Sequence, residues 1–152
     1  MLLFFNILFA LFMLPEQEKH PIFHKHQHII NDANEVLLFK IHSRATAPAE
    51  RDKSKQYAGD YEVIAKIDLK EEQQSEIKRI VLDTKNYIDD KKSCPMQAEY
   101  AIKFQKKRHY IVLIVSEGAC KKSVIASSEK DINKNYHDLA EENAIHSFLE
   151  KL

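Results

Sequence analysis

The sequence predicts an α+β fold: an antiparallel sheet of four to five strands packed against two helices, preceded by an N-terminal hydrophobic helix. Three observations carry this expectation. Short runs rich in β-branched and aromatic residues recur between polar connections, at residues 35–42, 61–69, 98–104, 110–115 and 124–126. Two stretches place apolar residues at helical intervals behind an Asp-x-x-Glu spacing, at residues 68–71 and 138–141. The only two cysteines, Cys94 and Cys120, bracket a pair of strand-like runs symmetrically.

The chain has 152 residues, enough for one domain with a core. Lys plus Arg and Asp plus Glu number 23 each, so no overall field draws the protein to nucleic acid or to an anionic membrane. Two glycines and four prolines are too few for a loop-rich scaffold or a glycine-cradled phosphate site. Three regions follow from composition: a signal-peptide-like segment at 1–14, a polar, His-rich linker at 15–33, and a single α+β domain at 34–152.

Residues 1–14, MLLFFNILFALFML, are apolar except for Asn6. Spanning a hydrocarbon core takes about 20 helical residues, so the run is too short to cross and has the length of a signal-peptide core. It lacks a preceding Lys or Arg and a small-x-small cleavage site, which leaves a docked N-terminal helix or an uncleaved interfacial anchor as the alternatives. Export is the expected reading, to a secreted or periplasmic location, with no spanning segment in the mature domain. His20, His24, His26 and His28 follow within nine residues. In an extended chain His24, His26 and His28 share one side, and in a helix His20, His24 and His28 share one face. Imidazole suits Zn²⁺, Cu²⁺ and Ni²⁺, but no Asp, Glu or Cys at fixed spacing completes a site. A solvated linker is the plain reading, and weak Zn or Cu capture the alternative; no cofactor is otherwise implied.

Residues 35–42 (EVLLFKIH) form the first strand, and the polar stretch 44–59 a loop. Residues 61–69 (YEVIAKIDL) form the second strand. Asp68 then caps a helix, with Glu71 and Glu72 at the positive end of its dipole and Ile77, Ile80 and Val81 on its apolar stripe. Adjacent carboxylates on a helix point about 100° apart, so Glu71 and Glu72 are cap charges and not an acid–base pair. Residues 84–92 are a polar connection anchored by Tyr87 and Ile88. A short strand at 124–126 and a loop at 127–135 precede a C-terminal helix opened by Asp138 and Glu141.

The hairpin between the cysteines is the chain's most informative stretch. Tyr100, Ile102 and Phe104 alternate with Glu99 and Lys103, and residues 110–115 (YIVLIV) are an unbroken apolar run. Cys94 and Cys120 are equidistant from Lys107, so a ribbon folded about Lys107 sets the two sulfurs opposite each other at its mouth. In a reducing compartment the same pair would be two small buried thiols. A bridge closing a loop of roughly 27 residues stabilises by ~3–4 kcal/mol in the chain-entropy model. A two-residue Lys106-Lys107 turn would shift the register, and this turn lacks Gly or Asn, which points to a loop of four or five residues.

This order of strands, helix and Cys-bracketed hairpin resembles small secreted bacterial proteins of unassigned function, together with Tyr87, Cys94, the AIKF run at 101–104 and Cys120. Where those proteins carry a bulky residue after the first cysteine, this chain has Pro95. The resemblance implies an exported α+β domain and brings no catalytic residues with it.

No nucleophile elbow, phosphate loop or closed metal motif is present. The first functional expectation is therefore an exported, non-catalytic module that binds a protein or an envelope component, as an inhibitor or accessory. Its candidate contact surface is the basic hairpin tip, Lys106, Lys107 and Arg108, flanked by Lys103 and His109. The plain alternative is a solvated turn whose charges block edge-to-edge pairing. A hydrolase built from Ser116 or Ser123, His109 and Asp131 has no supporting local context. His137 and His146 are expected at the surface or as satisfied core groups.

Overall fold

The computed structural model describes residues 27–89, 91–128 and 135–152. In chain order its elements are α1 (Gln27–Asn31), β1 (Glu35–Ala45), β2 (Tyr57–Ala58), β3 (Tyr61–Ile67), α2 (Glu71–Leu82), β4 (Tyr87–Ile88), β5 (Ala98–Lys106), β6 (His109–Ser116), β7 (Lys122–Ser127), β8 (Asn135–Leu139) and α3 (Ala144–Leu149). All strand pairs are antiparallel, in the order β2-β3-β1-β5-β6-β7-β8-β4. Among the described residues the fold is thus one eight-stranded sheet with three short α-helices, not four to five strands against two helices. The predicted N-terminal hydrophobic helix lies outside the described residues.

The sheet is larger than expected because three strands carry no alternating apolar signal. β2 and β4 are two residues each, and β8 reads NYHDL. Each is strand because a neighbour supplies its ladder, and not through its own propensity.

β6 explains the two-sided core. Residues 111–116 are all buried, which is why the run is apolar without alternation. Ile111, Leu113 and Val115 face the helices, with Val36 and Leu38 of β1 and Ile102 and Phe104 of β5. Val112 and Ile114 face the other way, with Phe39, Ile41, Ala101 and Val124. Each such fully buried side chain stabilises the fold by roughly 1.5–3 kcal/mol before entropy is counted.

The helix-free face is closed by the sheet itself. A Cβ added at Gly59, in the β2–β3 turn, would stand 3.5 Å from Ala126 Cβ and 4.0 Å from Ile114 Cδ1. Yet β1 and β5 lie between β3 and β6 in the sheet. The β2–β3 end therefore curls over the opposite strands. Two register breaks in β1, after Lys40 and after Ile41, give the strand the bend this needs.

α1 is a single turn, too short to hold helical form alone. It is fixed by complete burial of Ile29 and Ile30, and by Lys78 Nζ donating to Ala33 O at 2.8 Å. α2 starts at Glu71, not at Asp68. The Lys70 N–H donates to Gln73 Oε1 at 2.8 Å, while the exposed Asp68 side chain pairs with Lys66 at 3.4 Å. The second predicted cap also fails. Asp138 belongs to β8, and α3 begins at Ala144 behind Asn143, whose Oδ1 accepts from His146 N–H at 2.9 Å.

Candidate functional site

Five residues form one row across the end of the sheet: Ala98 faces Ser116, Lys122 faces Asp138, and Ile88 pairs with Asp138 from the other side. Turns and connections beyond this row build a cleft of about 360 Å³. Glu99, Tyr100, Glu117 and Lys121 line it from the strand ends, His146 and Leu149 from α3, and Glu150 from just past that helix.

Glu99 enters this cleft through a bulge. From Lys106↔His109 to Tyr100↔Val115 the β5–β6 ladder is regular; Ala98 then pairs with Ser116, so Glu99 is one extra residue on β5. The bulge leaves Glu99 only 9% exposed, beside Lys40 Nζ at 3.3 Å and hydrogen-bonded to Glu117. Burial, and then the neighbouring Glu117 carboxyl, raise its pKa above the ordinary glutamate value. Lys40 opposes this and is itself held in its charged form by Glu99. Burial also raises the Tyr100 phenol beside it.

His146 closes the inner wall. Its Nε2 lies 2.7 Å from Ser116 O and its Nδ1 3.0 Å from Asn143 Oδ1. Asn143 is fixed in that orientation, since its Nδ2 donates to Ala140 O at 2.6 Å. Burial lowers the His146 pKa, so the ring is neutral and donates from Nε2 to Ser116 O. That Nε2 bond positions α3 against β6, while the Nδ1 lone pair faces another acceptor, Asn143 Oδ1, and makes no hydrogen bond with it.

Cys94 and Cys120 are joined in a disulfide with their Cα atoms 6.0 Å apart. The predicted facing arises differently from the expected symmetry. The turn is two residues, Lys107 and Arg108, and Lys107 takes φ 54° in place of a glycine. A turn centred there would leave the cysteines out of step by one position, and the extra residue at Glu99 restores the alignment. The expected four- or five-residue loop is not present.

The hairpin tip is less free than its sequence implies. Lys106 Nζ pairs with Asp32 at 2.6 Å, and Lys103 Nζ stacks 4.9 Å from the Tyr110 ring centre. Lys107 and Arg108 remain exposed. Of the candidate metal ligands, His20, His24 and His26 lie outside the described residues, and His28 is exposed on α1. Among the described residues, no group of three or more His, Cys, Asp or Glu is placed to hold a metal.

The hydrolase candidates do not converge. His109 and Ser116 stand at opposite ends of β6, roughly 24 Å apart at ~3.4 Å per residue. The Ser116 hydroxyl donates to Cys120 O at 2.6 Å, and Ser123 Oγ donates to His137 O at 3.4 Å. Asp131 lies outside the described residues. Sequence reasoning missed Glu99, Glu117 and the Asn143–His146 pair. Glu99 reads as an ordinary outward-facing strand residue, and only the bulge turns it inward.

Among the described residues, no helix is long and apolar enough to cross a membrane. No protein-family model, curated protein or solved structure matches this chain.

Proposed function

We propose that this protein is an exported, non-catalytic binding module, secreted or periplasmic, that docks on another protein or an envelope component as an inhibitor-like or accessory domain. The observation that carries the reading is the Cys94–Cys120 disulfide, which closes the mouth of the central hairpin. Such bonds persist in oxidising compartments and are rare in the cytosol. The apolar run at residues 1–14 supports the same location.

The contact surface in this reading is the exposed pair Lys107 and Arg108 at the far end of the same hairpin. Two cations on a rigid turn, with Lys106 held back by Asp32, match an acidic patch on the partner. The test is capture from envelope extract by the native protein and by K107E/R108E. Loss of a captured band on charge reversal supports the reading. Equal capture by both proteins removes the tip as the contact. Intact-mass measurement of exported protein, alkylated with and without reductant, tests the location; two free thiols in native material would overturn it.

A further inference from the structure

β4 and β5 are consecutive in the chain but lie on opposite sides of β8, β7 and β6. Their connection must therefore pass the ends of three strands, covering four inter-strand spacings or roughly 19 Å at ~4.8 Å each. It does so as a strap without regular structure, residues 91–97. The strap is pinned at both ends. At one, Lys92 N–H donates to the Asp138 carboxylate, Lys92 Nζ pairs with Glu141 at 2.5 Å, and Lys122 Nζ donates to Lys92 O at 2.5 Å. At the other, Glu117 N–H donates to Gln97 O at 3.0 Å.

Between these pins, what attaches the strap is the Cys94–Cys120 bond and the packing of Met96 on the helix-free core. Cys120 belongs to the β6–β7 turn, residues 117–121, which forms one wall of the cleft through Glu117, Gly118 and Lys121. Neither cysteine is part of either apolar core, and both are partly exposed. The ladders on both sides of β6 are complete without the bridge.

We propose that the Cys94–Cys120 disulfide is a redox-operated clasp: with the bond closed, strap and turn are held together and the cleft has its wall; with it reduced, both come loose while the sheet stays folded. The reductant is a small or protein dithiol able to reach the partly exposed cysteines. One of its thiolates attacks Cys94 or Cys120 to give a mixed disulfide, and its second thiol displaces the chain. The protein gains two hydrogen atoms as two thiols, and the dithiol leaves as its own disulfide. This inference does not depend on which partner the protein binds.

Hydrogen exchange on the full chain, oxidised and dithiol-reduced, tests it, with C94A/C120A in non-reducing buffer as a second route to the open state. The expected result is exchange faster by about tenfold or more at residues 91–97 and 117–121, with β5, β6 and β7 protected as before. Carbon-detected titration of Glu99 in the same samples should move down toward an ordinary glutamate as water enters the cleft. Unchanged exchange at the strap and turn overturns the proposal. So does loss of protection throughout the sheet, which would make the bond a staple for the whole fold. An unmoved Glu99 titration with a freed turn overturns the link to the cleft.

Discussion

Asn86 caps a helix that begins far along the chain: its Oδ1 accepts the Ala144 N–H at 2.7 Å. The same side chain donates from Nδ2 to Ile80 O at 2.7 Å, so one buried amide joins the last turn of α2 to the first of α3. Ala140 N–H adds a further bond to Asn86 O at 3.0 Å.

Removing that amide takes away the acceptor of the Ala144 N–H, while Ile80 O keeps the Asp83 N–H at 3.1 Å. Asn86→Ala should therefore lower unfolding free energy by about 1–3 kcal/mol, the cost of leaving one helix-start N–H without its partner. Urea denaturation measures it. A loss below about 0.5 kcal/mol would show that water replaces the amide.

Lys107 holds a left-handed backbone that costs a side-chain-bearing residue about 1 kcal/mol. Lys107→Gly should recover part of that, a gain of roughly 0.5–1 kcal/mol, while Lys107→Val should lose stability. Thermal unfolding of the two variants separates this strain from any role of the charge in partner capture.

Glu99 makes stability depend on pH in a stated direction. Its folded pKa is raised above the ordinary 4.5 by burial and by Glu117. The folded state thus keeps a proton that the unfolded chain has released, and stability falls as pH climbs from about 4.5 through the raised value. Glu99→Gln keeps the hydrogen bonding and removes the titration, so its urea midpoint should be flatter across that window. A wild-type midpoint that rises there would contradict the assignment.

His146 acts on the opposite side. Burial lowers its folded pKa below 6.5. The unfolded chain therefore binds more protons as pH drops from 6.5 toward the lowered value, and stability falls with it. Nitrogen NMR should show a neutral ring protonated on Nε2 at pH 7, and His146→Gln should remove this part of the pH slope. A charged ring at neutral pH would sink the prediction.

Which parts of the fold could be read from residues follows from where burial decides conformation. β1, β3, β5, β6 and β7 were legible because alternation or an unbroken apolar run marks a half- or fully buried strand, as in Leu38 against Phe39 or the residues from Ile111 to Val115. β4 and β8 were not, because Tyr87↔Leu139 pairing is set by a distant neighbour. The two Asp-x-x-Glu spacings misled for the same reason. Asp138 serves Lys92 and Lys122 in tertiary contacts, and Gln73, not Glu71, reaches back to start α2. The cysteine pairing was legible, but only the Glu99 bulge accounts for it. The acidic cleft was not, since nothing local distinguishes Glu99 from an outward-facing strand residue.

The Tyr87↔Leu139 pairing bears on how the molecule is born. A nascent chain leaving the ribosome carries β4 with no neighbour to receive it until almost all of the sequence has been made. Contacts so distant along the chain are formed late and slow the closing step. The central ribbon can assemble early, but the outermost edge waits for the C-terminal residues, and for that interval Tyr87 and Ile88 are what a chaperone would find uncovered.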